Sequence, residues 1–301
     1  MRLATFDVRG RTAFGVFAGP AAVIDLSIAL RALMKQPVQT MEELLGLGGE
    51  GMRRVSELCR IAETRQGELP SGCLLQRSEV TLRAPVLRPS KIIGIGLNYG
   101  DHCREQHVEP PSVPRLFAKY PSSVNGPGGV IRWDSHLTAA VDFEAELGVV
   151  IGSRALRVSR GDALECVAGY TVVNDVSARD LQFSDHQWVR GKSLDTFCPM
   201  GPVLVTRDEI PDPQGLGIRC TLNGVIVQDS HTSEMIFPVA DLIEFITRGI
   251  TLEPGDVIAT GTPAGVGHFR TPPVYLKDGD EVVVSIEGVG ELRNRCAVTQ
   301  S

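Results

Sequence analysis

At 301 residues, with 43% hydrophobic and 22% charged side chains, the chain has the length for a sizeable core and two domains and the composition of a soluble globular protein. A formal charge of −6 and a pI near 5.6 favour neither nucleic acid nor an anionic membrane, and no run approaches the ~20 apolar residues of a membrane helix. Seven cysteines without a C-x-x-C pair, and an amino terminus lacking an apolar signal core, predict reduced thiols in a cytoplasmic protein.

Strands are expected at 3–8, 13–17 and 22–24, separated by Gly10 and the Gly19-Pro20 turn. Two helical stretches follow, and the second, 52–64, sets Val55, Leu58, Cys59 and Ala62 on one stripe. Nothing in this unit suggests chemistry, so residues 1–84 read as a small N-terminal α/β domain for packing or dimerisation. Pro85 and Pro89 break regular structure and mark a linker into a second, β-rich domain, 85–301.

A buried strand at 91–97 runs into Asn98-Tyr99-Gly100-Asp101-His102-Cys103-Arg104-Glu105. If 101–106 is a helical turn, His102 and Glu105 share one side at i and i+3, where a carboxylate can orient an imidazole as a general base; a surface pair is the competing reading. Lys119 and Lys192 each lie among apolar residues near a turn, where a cation can stabilise an oxyanion or clamp a carboxylate.

The stretch Val141-Asp142-Phe143-Glu144-Ala145-Glu146-Leu147-Gly148-Val149-Val150-Ile151 alternates polar with apolar, a strand pattern. Phe143, Ala145 and Leu147 then point one way and Asp142, Glu144 and Glu146 the other. Neighbouring carboxylates repel unless a cation sits between them; a solvent-facing strand edge is the alternative. Within the stretch 169–177 a buried strand ends in Asn174-Asp175, so Asp175 either completes a three-carboxylate site or caps a turn. An all-oxygen set suits Mg²⁺, Mn²⁺ or Ca²⁺ rather than Zn²⁺.

Further on, 218–222 and 225–228 flank Asn223-Gly224, a hairpin signal, and 238–249 predicts a helix with Val239, Leu242, Ile243 and Ile246 on one face. A strand at 257–260 opens onto Gly261-Thr262-Pro263-Ala264-Gly265-Val266-Gly267. Lacking a Walker lysine, this loop is no P-loop, but its N–H groups can serve a substrate carboxylate. Strands at 281–286 and 291–298 form a closing hairpin.

Six motifs in this order resemble the fumarylacetoacetate hydrolase superfamily, in its acylpyruvase-like branch of domain-containing proteins. They are Gly96-Leu97-Asn98-Tyr99 with His102 and Glu105; Phe117 with Lys119 and Pro121-Ser122-Ser123; Phe143-Glu144-Ala145-Glu146-Leu147; Asn174-Asp175-Val176-Ser177-Ala178-Arg179-Asp180 with Gln182; Gly191-Lys192-Ser193 with Asp195-Thr196; and Thr260-Gly261-Thr262-Pro263-Ala264-Gly265-Val266-Gly267. The likeness runs from about Lys91 to the end. It implies an α+β fold, with a mixed β-roll or β-sandwich-like catalytic domain behind the small N-terminal α/β domain, assembled as a homodimer. It implies that Glu144, Glu146 and Asp175 hold a divalent metal, usually Mg²⁺ or Mn²⁺, that His102 and Glu105 activate water, and that Lys192 contacts the substrate beside the metal. Lys119, Arg179, Gln182 and Thr262 match positions lining the site. His231 stands where relatives more often carry Asn, and either alters substrate choice or caps a turn.

The implied reaction is hydrolysis of the C3–C4 bond of a 2,4-dioxo acid, an acylpyruvate or a fumarylacetoacetate-like substrate. Decarboxylation of an oxaloacetate-like acid, or isomerisation of a 2-hydroxy-diene-dioate, would use the same metal site, and the residues do not separate the three. A non-catalytic metal-binding scaffold is the rival from another class.

Overall fold

The structure, a computed structural model, describes residues 1–33 and 37–300. Alternating apolar side chains build the first strands, Arg2–Val8, Arg11–Phe17 and Ala22–Asp25, as an antiparallel meander. The first turn places Arg9 and Gly10 in the left-handed region (φ 48° and 76°), where glycine costs least. Leu74–Gln76 adds an edge strand. At the other side of the meander Arg2–Val8 pairs antiparallel with Cys198–Thr206, Leu3 opposite Leu204, so residues 1–84 extend the sheet of the rest of the chain.

From Cys198–Thr206 that sheet continues through Val167–Asn174, Ala145–Ile151, Val257–Ala259, Ile92–Gly96 and Arg115–Lys119. A second sheet of five strands runs in the order Val225–His231, Gly217–Leu222, Glu281–Ile286, Gly290–Thr299 and Val130–Asp134. Most pairs are antiparallel; Val257–Ala259 with Ile92–Gly96, and Gly290–Thr299 with Val130–Asp134, are parallel. The expected mixed α+β architecture is what the chain adopts. Asn223 and Gly224, at φ 51° and 80°, make the predicted hairpin turn.

Three layers result. The five-stranded sheet packs on one face of the large sheet, burying Leu147, Val149, Tyr170 and Val172 with Ile218 and Val284. Helices Leu26–Leu33, Met41–Gly46 and Gly48–Thr64 cover the other face, where Leu30, Leu44 and Leu58 meet Val150, Val173 and Leu204. Met41–Gly46 is a third helix where two were expected; it starts on Thr40, whose Oγ1 accepts from Glu43 N at 3.1 Å. Every residue of Ala145–Ile151 is buried, with successive side chains feeding opposite cores, so the reading as a solvent-facing strand edge is overturned.

The linker holds neither helix nor strand between Thr81–Leu82 and Ile92–Gly96. Its end is fastened by Asp256, which is buried and accepts from Ser90 Oγ at 2.5 Å, Lys91 N at 3.0 Å and Glu253 N at 2.7 Å, and is paired with Lys91 Nζ. Asp256→Ala orphans two backbone donors and should lower unfolding stability by about 3 kcal/mol. A urea midpoint equal to that of the wild type would refute this role.

Candidate active site

Strand alternation fails beside the candidate carboxylates. Val141–Asp142 leaves the large sheet to pair with Ser177–Ala178, while Ala145–Ile151 pairs with Val167–Asn174. Phe143 and Glu144 span the break. There Glu144 N donates to Asn174 Oδ1 at 3.0 Å and Asp175 N donates to Glu144 O at 2.9 Å. This crossing brings Glu144 and Glu146 against Asp175, 31 and 29 residues away in the chain. Each of the three offers a carboxylate oxygen within 4.8 Å of the others, and all three are buried.

Cations hold the cluster from two sides. Lys192 Nζ lies 2.7 Å from Glu144 Oε2 and 2.7 Å from Asp175 Oδ2. Lys119 Nζ reaches Asp175 Oδ1 at 2.5 Å and Val176 O at 3.3 Å, and also donates to Lys192 O. Arg179 bridges Asp142 Oδ2, 2.9 Å from its Nε, and Glu144 Oε1, 2.7 Å from its Nη1, and donates to Gln182 Oε1 at 3.0 Å. Burial opposes the charge of Glu144, yet Lys192 and Arg179 outweigh it and hold that carboxyl at about 2. Glu146 fares differently. Burial pushes its carboxyl well above the ordinary range, the charges of Asp175 and Glu144 add to the effect, and its one hydrogen bond is from Gly261 N at 3.0 Å.

A hard dication fits these residues. The donors are all oxygen, they converge within one coordination sphere, and four buried carboxylates (Asp142 included) face three buried cations, leaving one negative charge unanswered. No other group of three or more His, Cys, Asp or Glu side chains converges this way among the described residues. Asp142, on the same predicted face as the two glutamates, is turned away by the break and serves Arg179.

Opposite stands the short helix Gly100–Glu105. His102 Nδ1 lies 3.0 Å from Glu105 Oε2, and Glu105 Oε1 accepts from Gly265 N at 2.9 Å. Hydrogen-bond pattern assigns the proton to Nδ1, leaving the Nε2 lone pair to Gln106 Nε2 at 2.6 Å. His102 is close enough to Glu144 to lower its pKa. Between the two sides is a cavity of about 240 Å³. His102, Glu144, Arg179, Gln182, Lys192 and Thr262 lie on its wall; Glu105, Glu146, Asp175 and Lys119 stand behind it.

The glycine loop does not do what its sequence suggests. Its N–H groups serve the protein's own carboxylates: Gly261 on Glu146, Gly265 on Glu105, Gly267 on Asp142 Oδ1 at 2.8 Å. Thr262 Oγ1 accepts from Gln228 Nε2 at 2.8 Å, and Gln228 in turn fixes Ala145 N. His231 is off the cavity wall and caps a turn, its Nδ1 facing Ser233 Oγ at 2.8 Å. Sequence reasoning passed over Gln106, Arg115, Trp188 and Phe269, all on the wall. The i+4 spacing from His102 signals Gln106; Arg115 reaches the wall through the pairing of its strand with Ile92–Gly96, and Trp188 and Phe269 through turns that no periodicity marks.

Residues 91–297 match the family described as fumarylacetoacetate (FAA) hydrolase, C-terminal. The chain belongs to this family. It is 46% identical over 274 residues to the mitochondrial oxaloacetate tautomerase Fahd2a of Rattus norvegicus, covering 91% of this chain and 83% of that one. It is 40% identical over 300 residues to the oxaloacetate tautomerase YisK of Bacillus subtilis (strain 168), covering 98% and 99%. A solved fumarylacetoacetate hydrolase from psychrophilic Exiguobacterium antarcticum superimposes with a TM-score of 0.85 at 38% identity, over 99% of this chain and all of that one. All seven cysteines are free, and no helix among the described residues is long and apolar enough to cross a membrane.

The raised carboxyl of Glu146 has a measurable consequence. Its folded pKa lies above the unfolded value near 4.5, so without metal Glu146 keeps a proton that the unfolded chain has lost. Stability of the metal-free protein should therefore fall as pH rises from about 4.5 towards the folded pKa, and metal binding below that pKa should release a proton. Calorimetry of Mg²⁺ or Mn²⁺ binding in two buffers of different ionisation heat should give different apparent enthalpies. Equal enthalpies would show that no proton leaves.

Proposed function

We propose that the protein is a divalent-metal-dependent enzyme that interconverts the keto and enol forms of a small 2-oxo acid of the oxaloacetate type by moving a proton at C3. One observation carries the reading: a buried carboxylate trio and an oriented His–Glu pair face each other across one small cavity. The 40–46% identity to oxaloacetate tautomerases over nearly the whole chain supports it. It replaces C3–C4 hydrolysis as the first reading of the site.

Glu144, Glu146 and Asp175 would hold Mg²⁺, Mn²⁺ or Ca²⁺, which when bound supplies a Lewis acid for the carboxylate and 2-oxo oxygens. Lys192 offers a second, fixed positive charge on the same wall. Burial opposes that charge, but Asp175 and Glu144 outweigh it and raise the ammonium's pKa, so Lys192 acts as a cation and not as a base. His102, its Nδ1 proton held by Glu105, uses Nε2 to take the C3 proton of the keto form, leaving an enolate whose oxygen takes a proton from solvent while Nε2 returns its own to solvent. In reverse, the enol O–H proton is lost to solvent and protonated Nε2 delivers a proton to C3. Gln106 covers that nitrogen in this state and must yield it to substrate. Phe117, Trp188 and Phe269 make part of the same wall apolar.

The second reading, hydrolysis of a 2,4-dioxo acid, is favoured by the same His102–Glu105 pair, which could deprotonate a water directed at C4. We further propose that residues 1–84, of which no described residue lines the cavity, form a unit outside the chemistry, and that the protein is a homodimer.

Decay of the enol absorbance of oxaloacetate should be accelerated by the metal-loaded protein and not after chelation. His102→Ala should lower turnover by about 10²–10⁴-fold with metal content unchanged, and Glu146→Ala should lose both metal and activity. C–C cleavage products from acylpyruvates, with no effect on the enol, would move the protein to the second reading. Unchanged turnover in His102→Ala would remove the proposed base.

A further inference from the structure

We infer that Arg115 reads the far end of the substrate, which makes the protein selective for 2-oxo diacids over 2-oxo acids with a neutral tail. This rests on the placement of the 2-oxo acid group at the carboxylate cluster proposed above. Three cations line the cavity: Arg115, Arg179 and Lys192. Two of them are committed, Arg179 to Asp142 and Glu144, and Lys192 to Glu144 and Asp175. The guanidinium of Arg115 has no hydrogen bond and no ion pair among the described residues. An arginine on a cavity wall without an anion is a site that a ligand can complete.

Its place in the fold gives the direction. Arg115, Phe117 and Lys119 occupy alternate positions of one strand, Arg115–Lys119, and so share a face. Lys119 is at the buried end against Asp175; Phe117 lines the cavity, with Lys192 Nζ 5.1 Å from its ring centroid; Arg115 is exposed at the other end, about 13 Å of strand from Lys119. The strand thus runs from the carboxylate cluster to the cavity's open side and ends on a free guanidinium.

The partner strand makes room for it. Arg115 pairs with Gly96, where an added Cβ would lie 2.5 Å from Trp188 Cζ3 and 3.7 Å from Arg115 Cβ. The absent side chain lets the indole and the arginine stem share one wall. On the other side the guanidinium's charge reaches Cys103, next to His102, where it opposes the upward push of burial on the thiol. Arg115 therefore stands within electrostatic reach of the helix that carries the base. Its planar fork matches a carboxylate bidentately, and the apolar Val108, Phe117 and Trp188 line the same cavity.

The test uses the full-length, metal-loaded protein and Arg115→Gln. Binding of malate is compared by calorimetry with binding of 2-hydroxybutyrate, which has the same four-carbon chain and lacks the second carboxylate. The wild type should bind malate more tightly, and Arg115→Gln should weaken malate roughly 10- to 100-fold while leaving 2-hydroxybutyrate and metal affinity unchanged. Arg115→Lys should recover part of the loss. With oxaloacetate enol as substrate, KM should rise by the same factor and kcat should stay nearly constant. Equal affinity of the wild type for the two acids, or an equal loss for both in Arg115→Gln, overturns the inference. A protein that binds malate through Arg115 but leaves the oxaloacetate enol untouched would overturn the proposed reaction and keep this one.

Discussion

Four carboxylates, those of Asp142, Glu144, Glu146 and Asp175, are buried against the three cations Lys119, Arg179 and Lys192. Taking such charges out of water is costly unless each finds a partner, and removing one partner leaves a buried charge exposed to the full penalty. Here the cost is offset for all but one group. Glu144 is held ionised between Lys192 and Arg179, whereas Glu146 is driven towards its protonated form by burial and by its neighbours' charges. A dication between the three carboxylates would displace the proton that Glu146 otherwise keeps, and the sheets, helices and loop around the cluster hold those carboxylates in place.

Two features of the fold maintain the arrangement. Both faces of Ala145–Ile151 are covered, so the strand that presents Glu146 cannot shift register without turning Leu147 and Val149 out of one core and Val150 out of the other. The loop from Gly261 to Gly267 then sends single N–H groups to Glu146, Glu105 and Asp142, tying the carboxylate trio, the His102–Glu105 pair and the arginine's anchor to one piece of backbone. Gly265 sits at φ 104°, and a Cβ there would collide with the carbonyl of Val227, so only glycine allows the loop to approach so closely.

Much of the site was legible beforehand because it follows from local periodicity. Glu144 and Glu146 share a face because strands repeat every two residues, His102 and Glu105 because a helical turn brings i and i+3 together, and Asp175 stands out as a carboxylate at the end of a run of buried residues. The same rules misled where the periodicity stops. Asp142 belongs to the predicted acidic face, yet the break at Phe143 and Glu144 hands it to Arg179. Lys119 reads as a cavity residue; its ammonium is instead spent behind Asp175.

By itself the sequence determined which side chains could do chemistry: the acidic pair, the strand-end aspartate, the His–Glu turn, the lysines between apolar neighbours, and the six-motif order that marks the family. Tertiary structure alone decided their partners. That Glu146 is the carboxylate left short of a cation, that the glycine loop bonds to the protein's own acids, and that Arg115 faces the cavity unpaired beside Gly96 and Trp188 all depend on cross-strand register between distant segments. Electrostatic balance is a property of distances, and those distances exist only once the strands have paired.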